Sequence, residues 1–354
     1  MEGDEMESFT NMTQFSHESA YEEACRTGVL PGAVLVATDA TGKFRYAKAF
    51  GETARGEKLA LDSVMWTASC TKLLTAVAAL QQVDRGNIGL DDDVATILPE
   101  LAAAEVLEDF DSEGKPPGHG WSYGSGLDWV GQIVERLSGL KLGEYMRANI
   151  WGPLGMKHMG FNPDESPELK ERKIGLSILG EDGRLAPTTE GYIYSHTERD
   201  DHYGGTGVWG SAESFLPILQ TLCANDGRVL SPALVDEMFR PQLGAESKAA
   251  LNYTLKNIDI ARRVYGNSFD VDNQDFSYGL GGNIGLRDED GRRAAGTMSW
   301  GGIPNLIWWV DRKTGLCGAC FTQLMPVGDV NGNNLMRLFE KAIYERYQEF
   351  SAEI

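Results

Sequence analysis

Apolar and polar positions divide the chain into three stretches of different character. Near the N-terminus, Ala33-Val34-Leu35-Val36-Ala37-Thr38 is a compact apolar run. Asp39-Ala40-Thr41-Gly42-Lys43 follows as turn chemistry, and a second run extends from Phe44 to Phe50. Short β-prone runs separated by such residues predict a hairpin. A helical pattern from Thr13 to Arg26 precedes it and stops at Thr27-Gly28. The middle of the chain reads as helical: from Ser69 to near Gly86, Leu127 to Leu137, Leu142 to Asn149, Ser211 to Ala224 and Pro232 to Phe239. Asn87 to Glu100 reads as a loop with a short hairpin or turn, and Asp111 to Gly120 as loop. Beyond about residue 275 the pattern becomes short, apolar and glycine-punctuated. Phe276 to Leu286, Ala294 to Ser299, Asn305 to Val310 and Leu316 to Leu324 predict antiparallel strands, and Asn334 to Phe350 a closing helix. Strands at both ends with helices between imply an α/β fold of the α+β type. One antiparallel sheet is built from both chain ends, with flanking helices and a mainly helical inserted lobe. Residues 1–12 read as a flexible tail. Residues 13–354 read as a single domain, its sheet lobe at 13–62 and 275–354 and its helical lobe at 63–274.

Composition narrows the function classes. The 354 residues carry a formal charge of −20, which disfavours nucleic acid and anionic membrane as partners. The acidic, polar start Met1-Glu2-Gly3-Asp4-Glu5-Met6-Glu7 lacks the apolar core of a secretory signal. No apolar stretch approaches the length of a membrane span, so a cytoplasmic location is expected. The cysteines Cys25, Cys70, Cys223, Cys317 and Cys320 are odd in number and scattered, unlike a disulfide framework. Cys317 and Cys320 have CxxC spacing within an expected strand, where positions three apart point to opposite faces. Neither they nor the run Asp91-Asp92-Asp93, which reads as a solvated loop or helix cap, suggests a metal, and no cofactor is expected.

Three stretches carry candidate chemistry. Ser69 and Lys72 stand three apart at the start of the apolar run Leu73-Leu74-Thr75-Ala76-Val77. On a helix they share a face, and an amine buried there can take the proton of the serine hydroxyl. By itself the stretch equally fits a capping serine and a snorkelling lysine. Trp121-Ser122-Tyr123-Gly124-Ser125-Gly126 sets a phenol on a tight turn before a helix. A cationic lysine nearby would lower the phenol's pKa and suit it to proton transfer. Ser299-Trp300-Gly301-Gly302-Ile303 opens an expected strand, where two glycines let a substrate lie against the main chain and an N–H can stabilise an oxyanion.

In that order, Ser69-x-x-Lys72, Tyr123-x-Ser125 and Trp300-Gly301-Gly302 resemble the three motifs of the serine β-lactamase and penicillin-binding-protein superfamily. The likeness is to the class C β-lactamase-like esterases and transesterases, nearest to fungal acyltransferases of the lovastatin type. It implies a β-lactamase/transpeptidase-like fold and an acyl-enzyme on Ser69, with Lys72 and Tyr123 sharing the proton transfers. Ser125 would orient Lys72, and the Ser69 and Ile303 N–H groups would form the oxyanion hole. Trp300, Gly301 and Gly302 would line the substrate. The implied substrates are a small-molecule ester or thioester, free or carrier-protein-bound, and an alcohol or water acceptor, in fungal secondary metabolism.

Two departures qualify the resemblance. Trp300 stands where β-lactamases have a lysine that holds a substrate carboxylate, which favours neutral acyl esters. The literal Lys313-Thr314-Gly315 lies between two expected strands and reads as a solvated hairpin turn. The interval between Ser69 and Tyr123 is also short by some tens of residues. This motivates an alternative, a non-catalytic binding member of the fold. β-Lactamase or D-Ala-D-Ala peptidase activity is a further alternative. The histidines His17, His119, His158, His196 and His202 form no convincing pair, which disfavours a Ser-His-Asp triad. Of these, His119 and His202 are candidates for lining the cleft.

Overall fold

The computed structural model describes residues 16–104, 120–189, 201–258, 261–262 and 271–353. It begins with helix α1 (His17–Thr27), strands β1 (Gly32–Asp39), β2 (Arg45–Gly51) and β3 (Met65–Trp66), a 3-10 turn at Ala68–Cys70 and helix α2 (Thr71–Asp84). Next come α3 (Gly126–Ser138), β4 (Met159–Gly160), β5 (Leu176–Leu179), β6 (Leu185–Thr188), β7 (Trp209–Gly210), α4 (Ala212–Ala224), α5 (Pro232–Phe239) and α6 (Ala245–Asn257), with short helical turns between. The last part holds β8 (Phe276–Tyr278), β9 (Asn283–Gly285), β10 (Met298–Gly302), β11 (Leu306–Asp311), β12 (Leu316–Phe321), β13 (Leu324–Met325) and α7 (Val330–Ala352).

Seven strands form the main sheet in the order β2-β1-β12-β11-β10-β9-β8. Its pairings are antiparallel. The junction of the two chain ends is β1 against β12, with Val36 opposite Ala319. Every residue of β1, β11 and β12 is buried, because helices cover both faces. Ala33, Leu35, Ala37 and Trp309 face α1 and α7, packing with Tyr21, Phe339 and Ile343. Val34, Val36, Trp308 and Val310 face the inserted helices, packing with Leu73, Leu74 and Phe215. Gly318 is needed at the sheet centre, since a Cβ there would stand 2.5 Å from the Trp309 ring. Cys317 and Cys320 belong to opposite faces, as their spacing predicts.

Helix ends follow local chemistry. Ser16 caps α1 by accepting from the Ser19 N–H, and Gly28 ends it at φ +77°. Asp329 caps α7, accepting from the Gly332 N–H.

Several sequence expectations need correction. The run Phe276 to Leu286 is a hairpin of β8 and β9, turning through Gly279, Gly281 and Gly282. The strand expected at Ala294 to Ser299 runs from Met298 to Gly302, so the Trp300-Gly301-Gly302 motif lies inside β10. Of the hairpin or turn expected between Asn87 and Glu100, the turn is what forms, as helical turns at Val94–Thr96 and Pro99–Ala102. Within the acidic run there, Asp93 caps the first of these turns. Helix α6 was absent from the hydrophobic pattern because Leu251 and Leu255 are the buried side chains among thirteen mostly polar residues. The expected tail, most of the loop expected from Asp111 to Gly120, His119 and His196 lie outside the described residues. Among those described, no helix is long and apolar enough to cross a membrane.

Candidate active site

Ser69 sits in the 3-10 turn that leads into α2, and is buried. The residue before it, Ala68, has φ +46°, a left-handed conformation that costs a non-glycine residue about 1–3 kcal/mol. The surroundings hold it there. A Cβ on Gly302 would lie 2.5 Å from the Thr67 carbonyl oxygen and 3.4 Å from the Ala68 Cβ. Only glycine lets β10 approach the turn so closely. A threonine ladder on α2 and the residue before the turn fixes the opposite side. Thr67 Oγ1 donates to Val208 O at 2.7 Å, Thr71 Oγ1 accepts from the Val208 N–H at 3.1 Å, and Thr75 Oγ1 donates to Gly204 O at 2.7 Å.

The three expected side chains converge. Tyr123 Oη donates to Ser69 Oγ at 2.7 Å, and Lys72 Nζ donates to the same oxygen at 3.2 Å. Lys72 Nζ also donates to Gly205 O at 2.8 Å and lies 4.8 Å from the centre of the Tyr123 ring. Burial depresses the Lys72 amine from its ordinary 10.5 to about 8, against the opposing field of Asp128. At that value a useful fraction of the amine is neutral near pH 7, as a base requires.

The phenol behaves otherwise than the sequence implied. Burial raises the Tyr123 pKa, and its hydrogen bonds with Ser69 and Trp300 offset only part of the rise. Tyr123 therefore keeps its proton, and suits donation better than abstraction. Trp300 packs on the Tyr123 ring at 5.5 Å and meets Tyr278 edge-on at 5.4 Å. Its indole N–H is thus spent on the phenol oxygen, and its ring forms an apolar wall.

Two backbone donors border the serine. The N–H groups of Ser69 and Ile303 donate to no acceptor among the described residues. The turn carrying Ile303 is fixed by Asn305, whose amide nitrogen donates to Leu324 O and Pro326 O while its oxygen accepts from the Gly328 and Asp329 N–H groups.

Ser125 is not the orienting group for Lys72. It is exposed and makes no side-chain hydrogen bond to the amine, and the Gly205 carbonyl takes that role. Lys313 lies in the β11–β12 turn, paired with Asp288 at 3.0 Å, as its position between strands predicted. His202 stacks on Phe161 with ring centres 4.4 Å apart and accepts from the Gly143 N–H, a packing role. Gly205, Asp128 and the threonine ladder escaped the sequence reading. The fourfold spacing of Thr67, Thr71 and Thr75 was the available signal.

Comparison with known proteins identifies the family. The family model described as Beta-lactamase matches residues 17–115 and 110–341. The match breaks just ahead of Tyr123, where the connection was expected to be short. The monacolin J acid methylbutanoyltransferase of Aspergillus terreus is 32% identical over an alignment of 401 residues, covering 94% of this chain and 96% of that protein. That alignment is longer than this chain, in keeping with a segment missing here. The lovastatin esterase of Penicillium rubens is 33% identical, covering 95% of this chain and 100% of the esterase. A mutant simvastatin synthase from Aspergillus terreus superimposes with a TM-score of 0.87 at 33% identity, covering 94% of this chain and 95% of the other. The chain is therefore an enzyme of the beta-lactamase family, in the branch that holds the fungal lovastatin-type acyltransferases and esterases.

Proposed function

We propose that the chain transfers or hydrolyses a short acyl group through an ester formed on Ser69. The observation that carries this is the Ser69 hydroxyl within hydrogen-bond reach of both Lys72 and Tyr123. Neutral Lys72 takes the hydroxyl proton as Oγ attacks the acyl carbonyl. The Ser69 and Ile303 N–H groups receive the oxyanion. Tyr123 gives its proton to the departing oxygen or sulfur and regains one from the Lys72 ammonium, which lies beside its ring. An alcohol or water then attacks the acyl-enzyme by the same steps in reverse.

Trp300 directs the choice of donor. Its ring replaces a cation, so the site favours a neutral acyl chain over a substrate bearing a carboxylate next to the scissile bond. The names of the relatives suggest a short branched acyl such as methylbutanoyl, carried as a free or carrier-bound thioester and passed to a bulky small-molecule alcohol. A p-nitrophenyl butyrate assay with increasing alcohol tests the reading. Nitrophenol release with partition of the acyl group between water and alcohol is expected. Absence of turnover and of a covalent adduct would contradict it. Nitrocefin turnover is expected to be poor, because Lys313 is turned into solvent on a hairpin.

A further inference from the structure

Lys72 has two hydrogen-bond acceptors, and the second is as well built as the first. The peptide joining Gly204 to Gly205 is held at both ends. Its carbonyl oxygen accepts from Thr75 Oγ1 at 2.7 Å, and its N–H donates to Asp128 Oδ1 at 2.7 Å. The next carbonyl, Gly205 O, receives the Lys72 amine at 2.8 Å. Space at this crossing is limited. A Cβ on Gly204 would stand 2.4 Å from Leu127 O, and one on Gly205 3.0 Å from the Asp128 carboxylate. Asp128 belongs to the first turn of α3, which Tyr123 precedes. The helix that follows the tyrosine motif therefore grips the loop that holds the lysine on α2.

The groups facing the Lys72 amine are Ser69, Cys70, Tyr123 and, across the loop, Asp128. Burial raises the Cys70 thiol and the Tyr123 phenol, so both stay neutral near pH 7. Asp128 is then the anion of the set, and its field opposes the effect of burial on the amine.

We propose that Asp128 is a positioning residue for the acylation described above: its carboxylate fixes the Gly204–Gly205 peptide that aims Lys72, and its charge sets the pH at which Lys72 serves as base. This rests on the reading of Lys72 as the base. The two functions of the carboxylate separate in two variants. Asp128→Asn keeps an oxygen that can accept from the Gly205 N–H but removes the charge. Asp128→Ala removes both.

Two measurements on the full chain test the proposal. The first follows the Lys72 amine by nitrogen NMR titration, assigned by its loss in Lys72→Met, and needs no turnover. The second follows the pH dependence of acylation by p-nitrophenyl butyrate. In Asp128→Asn both midpoints should fall by on the order of half to one pH unit, with the high-pH rate within about threefold of the unaltered protein. Asp128→Ala should acylate at least about tenfold more slowly with a mispositioned amine. An Asn variant whose amine titrates with the unaltered protein would overturn the proposal, as would an Ala variant that acylates at full rate. If the unaltered chain forms no acyl-enzyme, the assignment of function fails. The NMR titration still decides whether Asp128 controls the amine.

Discussion

Replacing Gly302 by alanine should disable acylation while leaving most of the fold intact. The added Cβ would stand 2.5 Å from Thr67 O, whereas contact at van der Waals distance needs about 3.5 Å. Strand β10 and the turn carrying Ser69 must part by roughly an ångström to accept it. Overpacking of this kind costs about 1–3 kcal/mol, a loss the buried sheet can absorb. Its effect on chemistry is larger. The Ser69 N–H sits on the turn and the Ile303 N–H just beyond β10, so the displacement separates the two proposed oxyanion donors. A misplacement of about 1 Å in such a site lowers the rate by about a hundredfold. Gly244→Ala is the control, since its Cβ would meet nothing within 4 Å and its φ is −63°. The assay compares the burst rate with p-nitrophenyl butyrate and the thermal midpoint of both variants. A Gly302→Ala protein that acylates at the rate of the control would refute the claim that this close approach organises the site.

Four further outcomes follow from the geometry. Tyr123→Phe keeps the ring against Trp300 and Lys72 but removes the hydroxyl bonded to Ser69; acylation should fall by about 10²–10⁴, read as the burst rate at constant fold by circular dichroism. Acylation should rise with pH from about 7 to 9, because neutral Lys72 is the reactive form and its pKa is about 8. The folded amine releases its proton below the unfolded value of 10.5, so stability gains a favourable contribution as pH climbs from about 8 toward 10.5. The difference in denaturant midpoint between the unaltered chain and Lys72→Met should track that window. Glu340→Ala removes the carboxylate that the buried Arg293 bonds through Nε and Nη2 at 2.9 and 2.5 Å, leaving its bond to Ser299 Oγ; chemical denaturation should report a loss of about 3 kcal/mol.

Local patterns carried much of this into the sequence. Ser69, Lys72 and the apolar run after them announce a buried helix bearing an amine, and the structure buries both side chains. The unbroken apolar run Val34-Leu35-Val36 marks a strand, and the structure covers it on both faces. Lys313-Thr314-Gly315 was recognisable as a turn from the strands on either side. What the sequence concealed depends on distant partners. The Gly205 carbonyl that takes the Lys72 amine is 133 positions away and carries no side chain to signal its role. Ser125 had the right residue type beside the tyrosine, yet the helix start turns it outward. The direction of the Tyr123 shift also misled, because burial outweighs every favourable partner of the phenol. The depth of a side chain is set by elements the local sequence does not contain.

The central claim is that Ser69 carries the acyl group. Intact-protein mass spectrometry after brief mixing with p-nitrophenyl butyrate and acid quench tests it directly, with peptide mapping to locate the adduct. The account predicts one butyryl group on the peptide containing Ser69, absent from Ser69→Ala. An adduct that persists undiminished in Ser69→Ala, or one mapped to another residue, would contradict it.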